Sequence, residues 1–383
     1  MRTPAAFVLA LLWTSAAYAQ ERPLPFDSNW TLEGDRTSIA TVDGRRVLQA
    51  ETGFGHRRDV TLMDGTIDFD VQLTERRSFV YVYFRVVADA EHEEFYLRPH
   101  KSQLPDAVQY APVWQGRSAW QLHHGPGATA AVGFDDGQWT HVRLVMQGRR
   151  AALFVKDMTK PALLVPRLAR EPQAGSIALG GFLPANVPGA GPIARFSNVV
   201  VRPDVTFDFA KAIAAEGAAA SSAASAEPFT VIRAWSVSSA FVPTETTRPS
   251  AAELTGTFKT IDAEPNGLLE LHRHVKVPEE RRVSAAVARV NVRASEAGSY
   301  AFDFGFSDIA TVFVNGTPVF RGDATYSFDR PRREGLIGYD QARLYLPLRA
   351  GDNDVAVLVS DTFGGWGIMG RFVSSPKLQL QER

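Results

Sequence analysis

The stretch SFVYVYFRVVA, Ser78 to Ala88, decides the architecture. Val80, Val82, Phe84 and Val86 recur at every second position, the period of a strand that buries one face. Phe79, Tyr81, Tyr83 and Arg85 fall on the opposite face. The same alternation extends outward. TIDFDVQL (Thr66–Leu73) buries Ile67, Phe69 and Val71, leaving Asp68 and Asp70 on a solvated face. SIATVDGRRVLQAE (Ser38–Glu51) turns at Asp43-Gly44, and QWTHVRLVMQGRRAALFVKD (Gln138–Asp157) turns at Gln147-Gly148-Arg149. No amphipathic helical stretch interrupts these runs, so the chain up to about residue 204 is expected to be a β-sandwich and not a βαβ repeat.

The segment FAKAIAAEGAAASSAASAEP (Phe209–Pro228) breaks the pattern, being nearly all Ala, Ser, Gly and Glu. Its first part favours a short helix and its Ala/Ser tail a flexible tether. Beyond it, GSYAFDFGFSDIATVFVNGTPVFRG (Gly298–Gly322) carries a hairpin turn at Asn315-Gly316. ARLYLPLRAGDNDVAVLVSDTFGGWGIMGRF (Ala342–Phe372) gives two strands joined by Ala350-Gly351-Asp352-Asn353. The expected organisation is all-β: a sandwich over residues 20–204, a linker over 205–228 and a second sandwich over 229–383.

The N-terminus carries Arg2, an apolar run from Ala5 to Leu12 and Ala17-Tyr18-Ala19 before Gln20, the pattern of a cleavable signal peptide over residues 1–19. Export is expected, to the periplasm or beyond. The chain has no cysteine, which removes disulfides, thiolate nucleophiles and cysteine zinc sites together. Lys plus Arg (41) nearly balances Asp plus Glu (42), so no field steers a nucleic acid.

Three segments, DGQWTHVRLVMQGRRAALFVKD (Asp136–Asp157), GSIALGGF (Gly175–Phe182) and ARFSNVVVRP (Ala194–Pro203), resemble the closing strands of laminin-G-like domains in the concanavalin A-like lectin/glucanase superfamily. That resemblance implies a jelly-roll sandwich over most of Phe26 to Pro203. The second half, with its VNG hairpin and its Ala350–Asn353 strand pair, resembles a galactose-binding-like jelly roll. Such modules act as binding or accessory domains beside many activities.

Candidate chemistry gathers in FYLRPHKSQLPDAVQYAPVWQGRSAWQLHHGP (Phe95–Pro126). An aromatic ring stacks on the apolar face of a pyranose while planar polar groups bond its hydroxyls. Arg98, His100, Asp106, Gln109, Tyr110, Trp114, Trp120 and Gln121 have that chemistry. Trp366, set between glycines in SDTFGGWGIMGRF (Ser360–Phe372), is expected either to stand clear as a second platform or to plug the end of the sandwich. The leading expectation is therefore an exported, accessory glycan-binding protein whose partner is an oligo- or polysaccharide.

Two other classes stay open. Glycoside hydrolysis needs two placed carboxylates, for which Glu94 and Asp106 are the candidates, with Glu93 nearby. TIDFDVQL lacks the Glu-x-Asp-x-x-Glu spacing of the superfamily's glucanases. The laminin-like sandwich is also similar in architecture to 3-keto-disaccharide hydrolase-type domains, without a matching catalytic set. A protein-interaction scaffold of the envelope is the third class. No cofactor is implied. His123-His124 point apart if extended, and His272 and His274 share one strand face without a third ligand. A structural calcium would fall at Asp352, Asn353 and Asp354, a cluster that also makes a good turn.

Overall fold

The computed structural model describes residues 21–220, 228–244, 249–277, 283–327 and 334–381. The signal-like segment and the Ala/Ser tail of the linker lie outside the described residues. All sheet pairings are antiparallel. In the first half one continuously paired sheet curls on itself, running from Leu163–Val165 through Arg150–Val155, Trp139–Gln147, Gly65–Leu73 and Ala194–Arg202 to Arg45–Leu62. It continues through Gly175–Phe182, Phe79–Ala88, Glu91–Leu97 and Val108–Trp114.

Arg45–Leu62 is the corner strand. Its first part pairs with Ala194–Phe196 and its second with Gly175–Gly181. The bend falls at Gly53, whose φ of +133° and 2.1 Å approach of a built Cβ to the Glu33 carbonyl admit no side chain. Of the residues expected inside, Ile67, Phe69, Val71, Val80, Val82 and Phe84 are buried in one core with Phe95, Leu144 and Phe196, whereas Val86, past the irregularity in the strand, is buried outside that core. Each contributes on the order of 1.5–3 kcal/mol by leaving water.

Arg85 departs from the alternation. A bulge sets its φ at +50°, and the side chain turns inward to ion-pair with Glu93 at 3.2 Å and to donate to the Met63 and Gly148 carbonyls at 2.7 Å. Asp68 also departs, since it is buried and held by His141, Arg143 and Arg202.

Helix Phe209–Ala220 begins the linker but does not stand free. Phe209 is buried with Val145, Ala152, Phe154 and Leu164, so the first turn of the helix is part of the first sandwich's outer packing. The second half is a sandwich of a five-stranded and a seven-stranded sheet around Trp235, Phe302, Phe304, Trp366 and Phe372. His272 and His274 do not share a strand, because Leu271–His274 is a single helical turn. His272 is buried against Asp361 at 3.1 Å, and His274 is exposed.

The two halves are joined by a built interface. Ala119 and Leu122 of the first pack with Leu268, Ile337 and Met369 of the second. The Gln115 amide donates to the His272 and Val275 carbonyls and accepts from the Val277 N–H. Gln121, 0% exposed, donates to the Phe363 carbonyl at 2.9 Å and accepts from the Gly365 N–H at 2.5 Å. Gln121→Ala would leave both backbone groups buried and unpaired, at about 1–3 kcal/mol each. Scanning calorimetry should then resolve two separate transitions, where one joint transition is expected of the parent.

Candidate functional site

Strand pairing, not sequence proximity, assembles the site. Tyr81 lies opposite Tyr96 and Tyr83 opposite Glu94, while Gly175–Phe182 sets Ala178 and Gly180 beside Tyr83 and Tyr81. On the far side of Gly175–Phe182, Phe54 and His56 take the same positions. All these side chains stand on the sheet face opposite the Val80, Val82 and Phe95 core. The small residues Ala178 and Gly180 leave the rings of two strands to meet across them.

The result is a floor of aromatic rings. Phe54 stacks on Tyr83 with centroids 4.5 Å apart and tilts to Tyr81 at 5.9 Å. Tyr81 meets Tyr96 at 5.5 Å, and Tyr83 meets the His92 ring at 4.0 Å. Tyr81 and Tyr83 keep part of their surface open, yet burial pushes both phenols well above the ordinary tyrosine range, with the nearby Glu94 carboxylate adding to it.

Polar groups line this floor with bonding capacity left over. His92 is buried, and neither ring nitrogen has a hydrogen-bond partner among the described residues. Its Nε2 stands 3.7 Å from Glu94 Oε2. Glu94, 2% exposed, accepts from the Ser118 hydroxyl at 2.6 Å. Buried polar atoms without partners cost free energy unless water or a ligand completes them.

At one end of the floor the Arg98 guanidinium covers the Tyr96 ring at 5.2 Å, donates to Gln109 Oε1 at 3.0 Å and ion-pairs with Asp106 at 3.0 Å. Tyr96 also donates to Gln109 Oε1, at 2.6 Å. His100 meets the edge of Phe79 at 5.8 Å, and its Nδ1 accepts from the Ser78 N–H at 3.3 Å, so the imidazole proton sits on Nε2. Burial, helped by Arg98, Arg77 and Lys101, lowers the His100 pKa from 6.5 to about 4.

A histidine lowered in this way is protonated first in the unfolded chain. It contributes no penalty above pH 6.5 and destabilises the fold progressively as pH falls toward 4. His56, also lowered chiefly by burial, acts with the same sign. Urea midpoints compared at pH 7 and pH 4.5 should fall less in His100→Gln than in the parent chain.

Arg98, His100, Asp106 and Gln109 are thus brought together at the margin of the floor. Asp106 is held in ion pairs by Arg98 and Lys101. Tyr110 faces the other way, into the core, donating to Glu93 at 2.7 Å and accepting from the Ala169 N–H. There burial pushes the Glu93 carboxyl up while Arg85 and the Tyr110 hydroxyl pull it back. Trp114 lies at the junction of the halves, covered by Arg170 at 3.9 Å and flanked by Arg273. Gln121 is the staple already described. Trp120 meets Tyr326 of the second half edge-on at 5.4 Å; Tyr326 in turn stacks on Phe363 and receives a hydrogen bond from Arg77.

Trp366 is a plug. It is 0% exposed and donates from its indole to the Val359 carbonyl at 3.1 Å. The flanking glycines serve the interface instead of the ring, since a Cβ on Gly365 would come within 2.8 Å of Leu122. His123 reaches Glu270 across the junction at 3.4 Å, and His124 reaches the Ile337 carbonyl. Asn353 is buried with its amide holding the Arg349 and Gly351 carbonyls. Asp352 pairs with Arg293 and Asp354 with Arg289. Missed as site residues by the sequence reading were Phe54, His56, Tyr81, Tyr83, His92 and Tyr96. For His92 and Tyr96 the alternation around Phe95 and Leu97 in EHEEFYL (Glu91–Leu97) was the available signal.

A cavity of about 570 Å³ opens elsewhere, among Arg149, Arg167, Arg233, Arg273 and Glu264. Glu264 already holds Arg167 and Arg273, and no Phe, Tyr or Trp lines the space.

No family model matches the chain, and no curated protein matches it. Among solved structures, the carbohydrate-binding module CBM66 from Bacillus subtilis is 14% identical, covering 47% of this chain and 98% of the module, with a TM-score of 0.34. A Bacillus subtilis protein of unknown function with a galectin-like fold is 13% identical over 48% of this chain and 94% of its own, with a TM-score of 0.35. The Bacillus licheniformis beta-glucanase is 12% identical over 50% of this chain and all of its own, with a TM-score of 0.37. At these identities and scores the likeness to jelly-roll neighbours is coarse, and what the site does is read from its own side chains.

Proposed function

We propose that the chain is an exported glycan-binding protein whose first sandwich holds an oligo- or polysaccharide on the ring floor. The observation that carries this reading is the combination of the partly exposed Tyr81 and Tyr83 with the ring nitrogens of buried His92 beside them, which have no hydrogen-bond partner among the described residues. A pyranose presents an apolar C–H face to such rings and hydroxyls to His92, Glu94 and the His100 Nε2–H. The Trp120, Tyr326 and Phe363 cluster continues the aromatic surface at the junction, with Phe363 50% exposed. One long ligand would thus be gripped by both halves, in place of two sites on a loose tether.

Glu94 favours hydrolysis as the second reading, being a buried carboxylate on the floor itself. Its partner in the expected pair, Asp106, is taken up in ion pairs with Arg98 and Lys101, which weighs against that reading. The test is a polysaccharide panel scored for both retention of the full chain and release of reducing ends. Retention without release supports binding. Release that Glu94→Gln abolishes would replace binding with catalysis, and capture of a protein with no glycan retained would favour the scaffold role.

A further inference from the structure

At the edge of the ring floor, Glu33, His56 and Asp89 place one ligand atom each within 4.8 Å of one another. His56 is 3% exposed, and neither of its ring nitrogens has a hydrogen-bond partner among the described residues, although Nε2 lies 3.2 Å from Glu33 Oε2 outside bonding alignment. The strand pairing fixes this arrangement. His56 stands opposite Thr31 on one side and Ala178 on the other, while Glu33 is carried by the Thr31–Val42 strand. Asp89 sits on the turn after Phe79–Ala88.

The two carboxylates are exposed and currently share a single cation. Arg58 Nη2 lies 3.1 Å from Glu33 and 3.0 Å from Asp89, and its side chain is 46% exposed, so it can leave for solvent. A buried imidazole whose Nε2 faces the Glu33 carboxylate at 3.2 Å and whose Nδ1 has no partner among the described residues, beside two carboxylates bridged by a displaceable arginine, has the donor set of a three-ligand metal site. Imidazole suits zinc and its first-row neighbours, carboxylates add manganese, and three protein ligands leave one position for water. We infer that Glu33, His56 and Asp89 form a divalent transition-metal site, with Arg58 as the resident cation that the metal displaces. The inference stands apart from glycan binding.

The test is titration of the metal-free full chain with Zn²⁺ alone and with Mn²⁺ alone by calorimetry, with Co²⁺ absorption to report the ligand set. One ion per chain is expected. Binding should weaken at least tenfold in His56→Gln and in Asp89→Asn, and tighten in Arg58→Ala. Asp89 lies on an exposed turn, so its variant decides the matter if His56→Gln fails to fold. Absence of saturable binding in both the parent and Arg58→Ala would overturn the inference. So would saturable binding that Asp89→Asn leaves unchanged.

Discussion

Tyr83→Ala should weaken binding of the glycan retained by the full chain about thirtyfold, a loss of ~2 kcal/mol typical of removing a central aromatic anchor. Tyr83 is the hub of the floor, touching Phe54 at 4.5 Å, Tyr81 at 5.6 Å and the His92 ring at 4.0 Å. Its removal takes away one stacking surface and lets the neighbouring rings settle out of place. Tyr83→Phe keeps the ring and should cost less than tenfold, since a single hydroxyl bond contributes only about 0.5–1.5 kcal/mol. Because the ring is largely buried among its neighbours, the alanine variant should also lose about 2–3 kcal/mol of stability, so affinity is compared only where circular dichroism shows the fold intact. Calorimetric titration checks the order parent, phenylalanine, alanine; equal affinity in all three would remove Tyr83 from the site.

Trp366→Ala should produce the largest stability loss, about 3–5 kcal/mol, by emptying the centre of the second sandwich. The indole is fully buried against His272 at 5.4 Å and holds the Val359 carbonyl. Trp366→Phe fills most of the space and should lower the melting temperature less, while leaving glycan affinity at 25 °C unchanged. A tenfold affinity loss in that variant, with the fold intact by circular dichroism, would return Trp366 to the binding surface.

Much of the architecture could be read from alternation alone. Val80, Val82 and Phe84 went inside because a strand's side chains take opposite faces at each step. Asp43-Gly44 and Asn315-Gly316 turned because both residues of each pair sit at positive φ. Arg85 escaped because a bulge shifts the parity locally, and no composition marks where an extra residue is inserted.

The site was legible only in part, because it is made by register. Arg98, His100, Asp106 and Gln109 are close in sequence and do gather, but the rings they border come from three other strands. Nothing local says that Tyr81 faces Tyr96 or that Phe54 reaches Tyr83 across Gly180. Tyr110 and Gln121 misled for a related reason. Each carries a polar group suited to a ligand, yet one satisfies a buried carboxylate and the other a domain junction. Trp366 misled through its glycines, which make room for Leu122 of the other half.

The central claim, that a glycan lies on the floor of the first sandwich, is tested most directly by nuclear magnetic resonance. Tyrosine and histidine ring signals of the full chain would be followed while the retained oligosaccharide is titrated in. Saturable shifts of Tyr81, Tyr83, Tyr96 and His92, with Tyr345 of the second half unmoved, are expected. Saturable binding that shifts Tyr345 and leaves those four rings unchanged would contradict it.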